Sequence, residues 1–342
     1  MAVQYLITGG AGFIGSNYAN HLLARGEQVR LYDNLSRRGA DRNLAWLREK
    51  HGATAFELVV GDTRQADMLR EAAEDADVIA HLAGQVAVTT SVDDPRTDFE
   101  VNALGGFNVL EAARASGRRP LVIYSSTNKV YGEIPDQPIA EKASRYSYAK
   151  LPKGVPETQP LDFHSPYGCS KGAADQYMRD YSRIYDIPTV VMRQSCIYGS
   201  RQFGIEDQGW LAWFIIAAVL RKPITIYGDG KQVRDMLDVR DLVTAYDAAV
   251  ERREEIGGGV YNIGGGPDNT MSIWQECGPL LEELLGEEIP VSRSGPRPGD
   301  QKVYVSDIRK AQAELGWAPR IPVRQGAEDL FNWVQANRAL FD

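Results

Sequence analysis

The first 130 or so residues alternate short apolar runs with stretches of helical period, and this alternation constrains the fold more than any other feature. Residues 3–8, 28–33, 56–61, 78–82 and 121–126 read as strands, and 13–24, 67–74 and 103–115 between them as helices. Strands joined by helical crossovers run parallel, and near-continuous apolar strands are covered on both faces. The expected class is therefore α/β, a doubly wound parallel sheet. A further strand is expected over 189–197, after one more helix. Beyond residue 200 Gly and Pro punctuate shorter elements, at 222–223, 227–230, 264–267 and 297–300. That texture predicts a smaller C-terminal α+β lobe. The expected division is 1–199 and 200–342, with a helix over 239–252 returning to the sheet. Residues 135–163 are polar, proline-bearing and long for a connection, which points to a substrate-side loop.

With 342 residues the chain buries a large core in two lobes. Its 43% hydrophobic and 25% charged content is that of an ordinary folded protein. A net charge of −8 argues against a nucleic-acid surface and against anionic membranes. Phosphates remain acceptable ligands, because local N–H groups and single arginines hold them whatever the net charge. Cys169, Cys196 and Cys277 form no CxxC pair, so reduced thiols are expected rather than a disulfide framework. No basic leader precedes the first strand, and the apolar run 210–220 is too short for a bilayer and reads as a buried helix. A soluble cytoplasmic protein without a metal site is expected.

Thr8-Gly9-Gly10-Ala11-Gly12-Phe13-Ile14-Gly15 closes the first strand and opens the first helix. Gly9 suits the tight turn, Gly12 a close approach of backbone to a pyrophosphate, and Gly15 tight helix–strand packing. The helix N-terminus adds free N–H donors and a positive dipole end. A Rossmann-type dinucleotide site follows. Asp33 ends the second strand 18 residues after Gly15, where a carboxylate accepts ribose hydroxyls of NAD and repels a 2′-phosphate. Arg37 and Arg38 follow closely and leave NADP as the alternative; NAD is favoured. Asp62, at the end of the third strand, either reaches the adenine or is an ordinary turn residue. Leu82, Ala83 and Gly84 end the fourth strand in small or apolar groups, as a cofactor lying on the backbone requires.

Tyr167 and Lys171 stand four residues apart in a helical pattern, on one face and one turn apart. A phenol with a free pKa near ~10 is a poor base at neutral pH. A nearby ammonium favours the phenolate and makes proton abstraction from a sugar hydroxyl feasible. Alone, the spacing is common on solvated helices. The glycine loop and the hydroxyl-rich strand end Ser125-Ser126-Thr127 give it weight.

With these residues together, the chain resembles the extended short-chain dehydrogenase/reductase family of nucleotide-sugar epimerases and dehydratases. The likeness runs from Val3 to about Trp333. Its motifs occur in order: TGGAGFIG at 8–15, YDNLS at 32–36, HLAG at 81–84, the Asn102 region, SSTNKVYG at 125–132 and SPYGCSK at 165–171. GDGKQVRDMLDVRD at 228–241, NIGG at 262–265, RPGD at 297–300 and ELGWAP at 314–319 follow. The resemblance implies Tyr167 as general base, Lys171 as its electrostatic partner and a nicotinamide-ribose ligand, and Thr127 as a hydroxyl bonded to the reacting sugar oxygen. It implies a cofactor shell of Gly9, Gly12, Phe13, Ile14, Asp33, Asn34, Ser36, Arg37, Asp62, Thr63, Leu82, Ala83, Gly84, Gln85, Asn102, Ser125 and Gln194, with Tyr167 and Lys171. For a nucleotide-sugar substrate it implies Thr127, Asn128, Gln208, Arg234, Arg297 and Asp300. Arg234 and Arg297 match diphosphate contacts, against the plainer alternative of surface ion pairs. Asp300 either shapes its loop or touches the nucleotide ribose.

Two features narrow the reaction. Related 4,6-dehydratases carry an Asp-Glu pair where this chain has Asn128-Lys129, so dehydration is disfavoured. The stretches STNKVYG, LDFHSPYGCSKGAADQYMRDYSRIY, RQSCIYGSRQFG and EDQGWLAWF resemble the CDP-tyvelose (CDP-paratose) 2-epimerase branch of the family. Galactose-type 4-epimerases usually have Asn at the position of Cys196 and Lys at that of Val86. The implied reaction is inversion at C2 of a CDP-3,6-dideoxyhexose through a 2-keto sugar, with NAD tightly bound. A UDP-sugar 4-epimerase is the runner-up. A non-catalytic NAD-sensing scaffold is the third reading, which the presence of Thr127, Tyr167 and Lys171 disfavours. Phe203, Trp210 and Trp213 are candidates for an apolar pocket wall or for core. Cys169 and Cys196 are expected to be packed, and His164 to cap its loop or line the pocket. Pairing through helix 103–115 and the catalytic helix implies a homo-oligomer.

Overall fold

A computed structural model describes residues 2–297 and 300–341. Seven strands make one sheet: β1 (Gln4–Thr8), β2 (Gln28–Asp33), β3 (Glu57–Val60), β4 (Val78–His81), β5 (Leu121–Thr127), β6 (Thr189–Gln194) and β7 (Gly259–Ile263). All neighbours pair parallel, in the order β7-β6-β5-β4-β1-β2-β3. Alternate residues enter separate cores on the two faces. Tyr5, Ile7, Leu31, Ile123 and Val190 fill one; Leu6, Tyr32, Val122, Tyr124 and Val191 fill the other. This period-two division of apolar side chains is what a doubly covered sheet demands. The order reverses between β1 and β4, which opens a crevice at their carboxyl ends.

Strand and helix positions agree with the sequence reading to within a few residues, with two exceptions. The expected strand 189–197 breaks at Ser195. Its hydroxyl donates to the Asp235 carboxylate, and Cys196–Tyr198 leaves the sheet to pair with the strand Val233–Asp238 of the smaller lobe. The expected helix 103–115 begins with a wide turn, Glu100–Leu104, before the regular turns of Gly105–Ala115. That widening carries Asn102.

Beyond residue 199 the chain crosses between lobes more than once. The helix Val239–Glu251 packs Leu242, Val243, Ala245 and Tyr246 into the first core of the sheet, and β7 forms the sheet edge. The smaller lobe has its own core, with Leu211, Ile215, Ile226, Met236, Leu281, Leu330 and Phe331. Residues 135–163 are not a cover over the crevice. They form a strap containing the hairpin Ile139–Glu141 and Tyr146–Tyr148. Tyr146 Oη donates to Asp229 at 2.5 Å, Tyr148 Oη to Val303 O at 2.8 Å, and Val155 N to Val305 O at 2.7 Å. The strap thus fastens the lobes together, because its tyrosines and backbone find their partners on the smaller lobe.

The long helix Ser165–Tyr185 starts with Pro166 in its first turn, and buries Tyr167, Lys171, Asp175 and Met178 along one face. Asp175 forms a bidentate pair with Arg193 of β6, with both N···O distances 2.9 Å and side chains 0% and 2% exposed. Ser126 Oγ of β5 also donates to Asp175, at 2.7 Å. Removing one partner of a buried pair leaves the other charge uncompensated. Arg193→Met therefore lowers stability by about 3–5 kcal/mol in urea titration, whereas the double apolar replacement Arg193→Met with Asp175→Leu costs clearly less.

Candidate active site

Two adjoining cavities, of about 480 and 430 Å³, occupy the crevice and the cleft between the lobes. Phe13, Ile14, Leu82, Val86, Gln202 and Gln208 line both, so the two spaces meet there. The first cavity is floored by the glycine loop. Gly9 has φ +71°, and a Cβ on it would lie 2.7 Å from Ala83 N; a Cβ on Gly15 would lie 2.2 Å from Gly9 O. At Gly12 the space where a Cβ would stand has only Gly9 O within 4 Å, at 3.1 Å, and the residue lines the cavity. An open backbone cradle at the start of a 12-residue helix fits a pyrophosphate.

The first cavity also gathers Phe13, Ile14, Asp33, Asn34, Ser36, Arg37, Asp62, Thr63, Leu82, Ala83, Gly84 and Gln85. Asp33 accepts from Ala11 N at 2.9 Å and Leu35 N at 2.8 Å, so the carboxylate braces the loop from the rim of the cavity. Burial raises its pKa, and these backbone bonds oppose the shift. Asp62 is clamped by Arg64, with Nη2 at 2.8 Å, and by Asn34 Nδ2 at 2.9 Å; the Arg64 guanidinium holds its carboxyl well below the usual range. Arg37 donates to Gln208, tying the first cavity to the second. Asn102 differs from expectation, because it lines neither cavity. It is 1% exposed, and its amide donates to Gln85 O at 3.0 Å, Asp98 at 3.1 Å and Ser170 at 3.2 Å. Its carbonyl accepts from Gln85 N at 3.0 Å, so it fixes the cavity wall from behind.

Ser125, Thr127, Asn128, Tyr167, Lys171 and Gln194 meet in the second cavity, at the carboxyl ends of β5 and β6 and one turn into the helix Ser165–Tyr185. Burial, helped by the Asp98 charge, pushes the Tyr167 phenol up to about 12, against a hydrogen bond with Thr127 that lowers it. Lys171 is pushed down to about 7 by burial, opposed by Asp175 and Asp98. Its ammonium donates to Ser125 O at 2.5 Å and lies 4.3 Å from the centre of the Tyr124 ring. The sequence reading expects a nearby ammonium to favour the phenolate; in this arrangement burial holds the phenol up. Desolvation is the largest influence on both groups and favours the neutral form of each.

On the smaller lobe Arg234 donates to Asp300 at 2.6 Å, and Arg297 pairs with Asp207 at 3.0 Å while stacking 3.9 Å over the Tyr227 ring. All five residues line the second cavity, as does Gln208. Asp300 thus partners Arg234 rather than its near neighbour Arg297; Pro298 and Gly299 of that motif lie outside the described residues. Trp210 lines the second cavity and Phe203 the first, while Trp213 belongs to the core of the smaller lobe. Cys196 lines the second cavity. Cys169 is exposed rather than packed, and His164 caps the helix by position only, with no side-chain bond to it.

Residues 6–330 match the family described as GDP-mannose 4,6 dehydratase. The CDP-paratose 2-epimerase of Salmonella typhi is 44% identical over 98% of this chain and 100% of its own. The chain belongs to this family of NAD-dependent epimerases and dehydratases. A dTDP-glucose 4,6-dehydratase of Streptomyces venezuelae solved with NAD superimposes with a TM-score of 0.84, at 27% identity and 99% coverage of both chains. A UDP-glucose 4-epimerase of Thermus thermophilus solved with NAD gives 0.81, at 31% identity, covering 98% of this chain and 100% of its own. The family, the parallel-sheet fold and the NAD cofactor expected from sequence are thereby met.

The sequence reading passed over Asp98, Ser170 and the Asp175–Arg193 pair. A signal existed for Asp175, since Tyr167, Lys171 and Asp175 form one i, i+4 ladder. In the sequence Lys129 is informative only as the absence of a carboxylate. It lines the second cavity, and burial, helped by the Arg234 charge, pushes its pKa down to about 8. Below that value it is charged and above it neutral. In protein labelled with ¹³Cε-lysine the Lys129 signal is therefore expected to titrate with a midpoint near 8, measured by NMR and assigned by its loss in Lys129→Met.

Proposed function

We propose that the protein inverts C2 of a CDP-3,6-dideoxyhexose, interconverting CDP-paratose and CDP-tyvelose. The observation that carries this reading is the near full-length 44% identity to a CDP-paratose 2-epimerase. The cavity supports it, because Thr127, Tyr167 and Lys171 converge while the neighbouring positions hold Asn128 and Lys129 rather than two carboxylates. The glycine loop, Asp33, Leu82–Gly84 and Gln194 are the residues that would hold NAD. When bound, NAD supplies reversible two-electron oxidation of a hydroxyl-bearing carbon.

Tyr167 Oη takes the proton from the C2 hydroxyl and later returns it to the same oxygen; the flat 2-keto sugar turns between these two proton moves, so that its other face is presented to the cofactor, whose two-electron chemistry would balance each of them. Thr127 Oγ1 bonds the same oxygen and fixes its distance from the phenol. Lys171, held charged, lowers the cost of forming the phenolate. Arg234 and Arg297 anchor the diphosphate by exchanging carboxylate partners for phosphate oxygens, which keeps the nucleotide fixed while the sugar turns. Trp210 and the Val86–Val88 wall suit a sugar short of hydroxyls. The reading includes a cytoplasmic homo-oligomer, supported by exposed Phe99, Leu104, Tyr177 and Ile184 on adjoining helices.

Incubation with CDP-paratose, and separately with UDP-glucose, tests the substrate without added reductant. Conversion of the CDP-sugar alone is expected; equilibration of UDP-glucose alone selects the 4-epimerase reading. Tyr167→Phe lowers kcat by about 10²–10⁴-fold with NAD content and Tm unchanged, measured by single-turnover kinetics and absorbance of the released cofactor. Full activity in that variant would remove the base from the scheme.

A further inference from the structure

Behind the catalytic pair lies a carboxylate with no part in the chemistry above. Asp98 sits in the short helix Pro95–Phe99 and is 1% exposed. One oxygen accepts from Ser170 Oγ at 2.5 Å and the other from Asn102 Nδ2 at 3.1 Å. Both donors are neutral, and no ion pair to Asp98 occurs among the described residues. A buried carboxylate without a cation in contact is costly.

The positive charge it faces is that of Lys171. Asp98 favours the charged lysine, and Lys171 in turn favours the charged carboxylate. Asp175 also favours the charged lysine, more strongly than Asp98, although its carboxylate is already engaged by the bidentate Arg193. The remaining groups around Lys171 do not take this role. His81, at the end of β4, is buried and pushed down to about 3, so it stays neutral. Tyr124 of β5 is held protonated by burial and offers only its ring face. Tyr167 carries no charge until it gives up its proton. Asp98 is also the joint between two walls. Through Asn102 it reaches the backbone of Gln85 in the cofactor cavity, and through Ser170 the catalytic helix.

We infer that Asp98 is a positioning residue that keeps Lys171 charged inside the dry site and locks the catalytic helix to the cofactor wall. This rests on Tyr167 and Lys171 being the working pair, and not on which sugar is bound. Full-length protein labelled with ¹³Cε-lysine reports the protonation of Lys171 by NMR, the signal being assigned by its loss in Lys171→Arg. The titration midpoint of Lys171 is expected to fall by about half a pH unit or more in Asp98→Asn and to return towards the wild-type value in Asp98→Glu. The alkaline limb of kcat/KM moves the same way. An unchanged midpoint, with activity lost equally at every pH, would overturn the inference and leave Asp98 as packing. Should Asp98→Asn not fold, Asp98→Ser is read by the same criterion. The NMR titration needs no substrate, so a shifted midpoint in a protein inert towards CDP-sugars upholds the inference while rejecting the sugar assignment.

Discussion

The site depends on one buried ion pair. Asp175 and Arg193 join the catalytic helix to β6, and Ser126 draws β5 into the same carboxylate. From Arg193 the network continues through Tyr131 Oη, at 3.1 Å, to Asn262 of β7, at 2.7 Å, and from Asn262 to Val155 O of the strap at 2.8 Å. A helix carrying a base cannot be placed by apolar packing alone, since such contacts tolerate sliding. Directional, charge-assisted bonds at 2.9 Å fix its register against β6, and the Ser126 bond at 2.7 Å fixes it against β5, the strand that supplies Thr127.

The same burial that orders the site works against its chemistry. It drives the phenol up and the ammonium down, away from the charge states that a proton relay uses. Enclosed charges therefore have to be supplied locally. Asp98 and Asp175 do this for Lys171, and a charged ligand adds to it when bound. A dry pocket magnifies each such contribution, because the effective dielectric is low.

On the substrate side the cations are already engaged. Arg234 holds Asp300 and Arg297 holds Asp207, so in the proposed function phosphate oxygens would enter by exchange rather than by filling empty donors. Gln208 sits where the two cavities meet and accepts from Arg37 on the cofactor side. Through Gln208 the segment 206–208 thereby touches both cavities.

The parallel sheet, the glycine loop and the Tyr167–Lys171 face were legible in the sequence, because each is written in a local period. Apolar alternation specifies strands, i to i+4 spacing specifies one helix face, and Gly9 and Gly15 stand where a Cβ has no room. The break at Ser195, the strap at 135–163 and the withdrawal of Asn102 behind the wall were not, since each turns on a partner far away in the chain. Ser195 is drawn off the sheet by Asp235, the strap by Val303 and Val305, and Asn102 by Gln85 and Ser170. Sequence by itself thus determined which groups are present and on which element they stand. Tertiary structure alone decided their charge states and partners, because desolvation and ion pairing depend on what surrounds a group in space rather than what adjoins it along the chain.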